Sequence, residues 1–432
     1  MSMISFFKRK QKRTYLDNAG ATEVGGHAKR ALLEALDTYG NPSGIHHEGA
    51  RAGQLLDKAR ALCATVLNAH AYEIYFTSSG TESCNLAVLG TYLGFTTTYN
   101  LQPTTSHLPH IITSAIEHPS VLEPIKQLEK DGKVSVTYLP VYDDGTVKVQ
   151  DIREALTENT ILVSVMYANN EIGTLQPVKE VGRMLEEWKK EKNRTHTSYP
   201  YFHIDACQAG NYCNLDVVRL RAHLVTVNSS KVYGPKGIAL LYKREGVMIS
   251  PISYGGGQER GLRSGTENVA GAYAFGVALQ ETSEMRESES ARLRALRDET
   301  VEALKQAIPS IVFYGAFDQY HTLPISNLQP TTYNLKTELR LPNNINCRVP
   351  GISSEEMILR LDAKGFAVSH KSACASMETE GSYVVQALGA TEQEALENIR
   401  ISMGRKTTTN DMQRLVKAMR EIQEKYTSLQ SM

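Results

Sequence analysis

The chain has 432 residues, room for one large α/β unit plus a smaller one, or for two or three domains of ordinary size. Lys plus Arg number 47 and Asp plus Glu number 47. This balance gives no global electrostatic case for binding nucleic acid or a membrane, and no apolar run is long enough to span a bilayer.

In chain order, Met1–Arg13 reads as a basic, briefly apolar, solvated arm. Its charges follow the apolar stretch, the reverse of a secretory leader. Short apolar, β-branched runs predict strands at Glu73–Thr77, His110–Ala115, Thr160–Met166, Tyr201–Ile204 and Leu224–Val227. Amphipathic stretches such as Ser120–Lys130 and Val178–Lys190 lie between them. That alternation predicts an α/β fold with a mostly parallel sheet covered on both faces. After Thr266 a helical pattern runs to about Ala307, and a mixed region ends in a helix near Asp411–Tyr426. The shift divides the chain into a large domain, 15–265, and a smaller α+β domain made of 1–14 and 266–432. Thr96–Pro109, Glu191–Pro200 and Phe317–Asn344 are rich in Thr, Pro, Asn or Ser and predict surface loops or insertions.

The six cysteines, Cys63, Cys84, Cys207, Cys213, Cys347 and Cys374, form no CxxC pair and no zinc-type cluster, so no metal site is expected. A chain this long does not need a disulfide scaffold, and a reducing cytoplasm is the expected compartment.

Ligands of open α/β sheets bind beyond the carboxyl ends of the strands. The residues there are Ser78-Ser79-Gly80-Thr81-Glu82, Glu117-His118, Asn169-Asn170-Glu171, Asp205 with Gln208, and Asn228-Ser229-Ser230-Lys231. Gly80 and Thr81 open a helix whose N–H groups suit a phosphate, although a plain N-cap reads the same way. Asp205 ends an apolar run and needs a cationic partner, which a pyridinium nitrogen would supply, as would a salt bridge or a cap. Lys231 precedes a tight Gly-Pro turn, and a desolvated lysine there could form a Schiff base. His118 suits stacking or acid–base work, or a cap. Cys374 sits among small residues near His370 and Lys371, where a thiolate would be reactive. Arg400 could grip a carboxylate bidentately, or form a structural ion pair.

Taken together these residues resemble the class V aminotransferases, which depend on pyridoxal 5'-phosphate, and within them the group I cysteine desulfurases of the iron–sulfur-cluster and nitrogen-fixation type. The resemblance covers nearly the whole chain. It is carried by Tyr15-Leu16-Asp17-Asn18, Gly40-Asn41-Pro42-Ser43, Phe76 to Ser83, Asn169 to Gly173, Ser372-Ala373-Cys374 and Arg400 to Arg405. The most specific block is Gly255-Gly256-Gly257-Gln258-Glu259-Arg260-Gly261-Leu262-Arg263-Ser264-Gly265-Thr266.

The resemblance implies a fold-type-I homodimer with a mostly parallel seven-stranded sheet. It implies Lys231 as the attachment point of the cofactor, Asp205 beside its pyridine nitrogen, His118 stacked on its ring, and Asn170 and Gln208 on its phenolic side. Gly80, Thr81, Asn228 and Ser230 would hold the phosphate, with Thr266 contributed by the second subunit. Asn41, Asn170 and Arg400 would hold the carboxylate of L-cysteine. Cys374 would accept sulfur as a persulfide and pass it to a protein acceptor such as an iron–sulfur scaffold or a sulfur carrier.

Two departures stand out. The family has Ser-x-His-Lys where this chain has Asn228-Ser229-Ser230-Lys231, so an uncharged donor replaces a histidine at the phosphate. The block Asn18-Ala19-Gly20-Ala21-Thr22 is somewhat similar to molybdenum-cofactor sulfurases, whereas the spacing from Cys374 to Tyr383 favours group I. A selenocysteine lyase or another class V enzyme is the rival activity, and a non-catalytic sulfur-assembly protein is the rival of another class.

Overall fold

In the computed structural model, which describes residues 13–99, 108–316, 339–370 and 381–430, the apolar β-branched runs become neighbours in one sheet. The chain begins with β1 (Thr14–Tyr15), α1 (Gly26–Leu36) and α2 (His47–Leu67). There follow β2 (Ile74–Thr77), α3 (Gly80–Tyr99), β3 (His110–Ser114), α4 (Pro119–Lys130), β4 (Ser135–Leu139), α5 (Val149–Ala155), β5 (Thr160–Ser164) and α6 (Val178–Glu191). Next come β6 (Tyr201–Asp205), α7 (Val217–Leu220), β7 (Leu224–Asn228) and β8 (Ala239–Lys243). Strands β2 to β8 form a seven-stranded sheet in the order β2-β8-β7-β6-β5-β3-β4. Strands β3 to β7 are parallel, and β8 is antiparallel to both of its neighbours.

Every residue of β3, β5 and β6 is buried, as a sheet covered on both faces requires. Ile112, Val163, Phe202 and Val225 face one core with Cys63 of α2 and Leu185 of α6. Their neighbours Ile111, Leu162, Tyr201 and Leu224 face the other, with Val88 of α3 and Ile125 of α4. Each large apolar side chain so buried stabilises the fold by about 1.5–3 kcal/mol.

The remainder comprises α8 (Val269–Ala307), β9 (Val312–Phe313), β10 (Asn344–Arg348), α9 (Ser354–Ala363), β11 (Phe366–Ala367), α10 (Tyr383–Ala387), α11 (Glu392–Leu396), β12 (Asn398–Ser402) and α12 (Thr409–Gln430). Strands β9, β10 and β12 make an antiparallel sheet, and β1 pairs in parallel with β11. Helix α8, 39 residues and about 58 Å long, packs on α1, α2 and α12.

Some boundaries differ from the sequence reading. The stretch Thr96–Pro109 is not wholly loop, because α3 runs to Tyr99. The Thr96 and Thr98 hydroxyls donate to carbonyls one turn back, at Tyr92, Leu93 and Gly94, instead of ending the helix. At the end of Phe317–Asn344, Asn344 already belongs to β10, and residues 317–338 lie outside the described ones. The long helix starts at Val269 instead of just after Thr266, since the Asn268 side chain caps it by accepting from Gly271 N. Strands β4 and β8 were not anticipated. The first is a half-exposed edge strand containing Ser135 and Thr137, and the second follows the Gly-Pro turn that dominates its surroundings.

Candidate active site

The carboxyl ends of β3, β5, β6 and β7 open into one cleft of about 660 Å³, counting the part open to solvent. Gly80, Thr81, His118, Asn170, Asp205 and Lys231 line it. So do Gln208, Asn228 and Arg400, so most of the residues singled out in the sequence share one wall system.

At one end lies the start of α3. Ser79 Oγ accepts from Glu82 N (3.2 Å), and Glu82 in turn accepts from Ser78 N (2.5 Å). The first-turn N–H groups of a helix have no partner within the helix, which makes its start suit an anion. A Cβ on Gly80 would stand 2.9 Å from Cys207 Sγ and 3.4 Å from the Asn228 side chain. Only glycine leaves this cradle open.

Asp205 is 6% exposed at the end of β6. Its Oδ1 accepts from Cys207 N (3.0 Å), and it makes no ion pair with any described residue. A buried carboxylate held by the backbone N–H and the thiol of Cys207, neither of them a cation, calls for a cation in the cleft. Across from it, His118 caps α4. Its Nδ1 accepts from Ser120 N (3.1 Å), so the neutral ring carries its proton on Nε2. Burial pushes the His118 pKa down; Asp205 opposes this, and Lys231 and Arg400 add to it.

Lys231 projects from a short turn after β7. Its Nζ donates to the carbonyls of Ala19 (2.7 Å) and Gly20. The lysine turn is clamped by Thr22, whose N–H and hydroxyl both donate to Ser230 O (2.8 and 3.0 Å) and whose Oγ1 accepts from Tyr233 N (2.8 Å). Tyr233 has φ +61°, a left-handed conformation that this clamp sustains.

Arg400 on β12 is 1% exposed. Its Nη2 pairs with Asp17 Oδ1 (2.8 Å), and its Nη1 donates to Asn170 O (3.0 Å). Its Nε is buried and without a partner among the described residues, as is Asn170 Oδ1. Both belong to residues that line the cleft, so its wall carries polar groups left unsatisfied among the described residues.

Other expected residues sit elsewhere. Gln208 lines the cleft, but its Nε2 is committed to Ala19 O (2.9 Å). Ser230 does not line it, and its Oγ donates to Asn228 Oδ1 (3.3 Å). Asn41 is exposed, and its Oδ1 accepts from Ser43 N. Thr266 is exposed on the rim of a second cleft beside Ser78 and Asn268. Cys374 lies outside the described residues. The sequence reading missed Cys207, whose thiol pKa is pushed well up by burial and by nearby Asp205, and Asp17 as the partner of Arg400. Cys207 stands two positions after Asp205, a spacing that could have placed it in the cleft.

The donor set fits a flat phosphorylated pyridine: an anion cradle at Gly80, a carboxylate seeking a cation, an imidazole and a lysine. Residues 14–329 match the family described as Aminotransferase class-V. The chain is similar to the cysteine desulfurase IscS of Clostridium botulinum (strain Hall), at 36% identity over 416 residues, covering 95% of this chain and 94% of that protein. It is 38% identical over 416 residues to the cysteine desulfurase IscS of Methanosarcina thermophila, covering 96% and 93%. A solved NifS-like protein superposes with a TM-score of 0.80 at 31% identity, covering 95% of this chain and 99% of that one.

Proposed function

The chain belongs to the class V aminotransferase family, and from that premise we propose that it is a pyridoxal-phosphate-dependent cysteine desulfurase that converts L-cysteine to L-alanine. The observation that carries the cofactor assignment is Asp205, buried without an ion-pair partner among the described residues on the same cleft as Lys231. When bound, pyridoxal phosphate supplies an electron sink that makes the Cα proton of a joined amino acid acidic.

The α3 start at Gly80 and Thr81 would hold the phosphate, with Asn228 beside it. Asp205 would pair with the ring nitrogen, and Lys231 would be the point of attachment. Asn170 would lie on the phenolic side, as would Gln208 once its Nε2 leaves Ala19 O. Arg400 and Asn170 would receive the substrate carboxylate, the Arg400 fork turning to it from the Asp17 and Asn170 oxygens that it holds here. Lys231 Nζ would take and return protons at the substrate, with the His118 Nε2–H as a donor beside it. The Cys374 thiolate would attack the substrate sulfur: an S–S bond forms, the Cβ–S bond breaks with its electron pair staying on carbon, a proton is added at Cβ and the Cα proton is returned, so that cysteine and the thiol become alanine and a persulfide. The persulfide then passes to a protein acceptor, such as an iron–sulfur scaffold or a sulfur carrier.

Homodimerisation is supported by Leu36, Tyr39, Ile45 and Tyr254, all strongly exposed in the single chain. A second copy would bring its own Thr266 to the phosphate, with Asn41 near the substrate. Among the described residues no helix is long and apolar enough to cross a membrane. The test is borohydride reduction of the purified yellow protein followed by peptide mapping. The expected cofactor-bearing peptide contains Lys231, and attachment at another lysine overturns the assignment.

A further inference from the structure

Behind the cleft, two turns lie side by side. One, after β3, carries Glu117 and His118; the other, after β5, carries Asn170 and Glu171. Asn169 joins them, its Nδ2 donating to Ile116 O (3.0 Å) and its Oδ1 accepting from Glu171 N (2.8 Å) and Ile172 N (3.0 Å). Both turns end on α10. Tyr383 OH donates to Glu117 O (2.6 Å). Ser382 Oγ donates to Glu171 Oε2 (2.5 Å) while accepting from Val385 N (3.1 Å) as the cap of α10.

Apolar contacts reinforce the same junction. Ile116 and Ile172, one from each turn, form a small buried cluster with Val384, Val385 and Ala395, apart from the two main cores. Gly381 passes so close to α11 that a Cβ would stand 2.7 Å from Ala395 Cβ. Glu117 itself is fully buried. Its Oε1 accepts from Ser114 Oγ (2.6 Å) and Met166 N (2.9 Å), and its Oε2 has no partner among the described residues. Burial raises its pKa to about 8, so the junction holds a neutral acid at neutral pH. On the opposite side, Ser369 and Arg400 exchange backbone hydrogen bonds (3.1 and 2.6 Å).

We propose that Ser382 and Tyr383 are positioning residues for sulfur transfer, locking the His118 turn and the Asn170 turn to the short helix that follows Cys374 in the chain. The inference rests on the reading of His118 and Cys374 given above. Neither residue touches the reacting atoms. Their effect is to give the acid–base group, the substrate pocket and the chain leading from the sulfur acceptor one shared anchor, because two polar bonds and one apolar cluster converge there. A misplacement of about 1 Å at such an anchor can cost up to about a hundredfold in rate.

The experiment uses the holoenzyme and the variants Tyr383→Phe, Ser382→Ala and Ser382→Thr. Tyr383→Phe and Ser382→Ala are expected to keep the visible band and the Lys231 attachment, yet to slow persulfide formation on Cys374 in a single turnover by about tenfold. Ser382→Thr, which keeps a capping and donating hydroxyl, is expected to restore the rate. A second readout separates positioning from mere stability. The groups facing His118 are Asp205, Lys231 and Arg400. Loosening its turn hydrates the ring, so the acid limb of the kcat–pH profile should move to higher pH in Tyr383→Phe. Wild-type transfer rates in Tyr383→Phe with an unmoved limb, or equal rates in Ser382→Ala and Ser382→Thr, overturn the proposal. The underlying reading fails by a different result, attachment of the cofactor to a lysine other than Lys231.

Discussion

Lys189 offers a sharp test of how the interior treats charge. It lies near the end of α6, is 2% exposed, and its Nζ is 2.8 Å from His223 Nε2 and 3.2 Å from His196 O. His223 Nδ1 accepts from Phe202 N (3.0 Å), so the neutral ring carries its proton on Nε2, which also lies 2.7 Å from His196 O. An ammonium has no lone pair and would face an N–H; a neutral amine can accept it. Burial accordingly pushes the Lys189 pKa down to about 7.

The drop from 10.5 to about 7 corresponds to about 5 kcal/mol of native preference for the neutral amine. The folded pKa lies below the unfolded one, so the unfolded chain binds more protons between these values, and the penalty on folding shrinks as pH rises through the window. It is about 4 kcal/mol near pH 7.5 and about 1 kcal/mol near pH 9.5. Lys189→Met removes it at the loss of about 1 kcal/mol of hydrogen bonding. Near pH 7.5 the variant should therefore be the more stable by about 2–3 kcal/mol, and near pH 9.5 it should have no advantage. Glu117, raised to about 8, and Cys63, raised to about 12, also titrate with folding, but they do so equally in both proteins. Equilibrium urea unfolding of the two holoenzymes at both pH values measures the difference. A destabilised variant near pH 7.5, or a difference independent of pH, would refute the neutral-lysine reasoning.

Three further outcomes are expected at the cleft. Arg400→Lys should raise KM for cysteine at least about tenfold with the cofactor band unchanged, since a point charge replaces a planar fork; steady-state kinetics with an absorbance scan checks it. Ser230→His should tighten cofactor binding by about 1–2 kcal/mol, provided the added ring reaches the phosphate, and dialysis against buffer gives the dissociation constant. Cys374→Ser should keep the cofactor and bind cysteine, yet show no added sulfur by mass spectrometry after brief exposure to cysteine; alanine production at the wild-type rate would favour lyase chemistry instead.

Much of the fold follows from local pattern. Buried parallel strands announce themselves as short β-branched runs, and the polar residues after them are legible because ligand sites form at strand ends. The resemblance carried by the Gly255–Thr266 block and by the Asn169–Gly173 block pointed to the family before any coordinates, and the family match over residues 14–329 agrees. Strands β4 and β8 escaped because an edge strand need not be apolar and because β8, Ala-Leu-Leu-Tyr-Lys, has no β-branched residue.

What only the tertiary structure decided is pairing across long separations. Asp17 meets Arg400, Ala19 and Gly20 receive Lys231, and Tyr383 reaches Glu117, contacts between residues hundreds of positions apart in the chain. Lys189 and Lys190 are adjacent and chemically identical in sequence, yet one is buried against His223 and the other is exposed. Helical geometry alone turns one side chain inward and the next outward, and only the neighbouring strand determines whether the inward amine meets a carboxylate or an imidazole. Residue type sets which chemistry is available at a position; the protonation state and partner follow from what the fold brings to within about 3 Å of it.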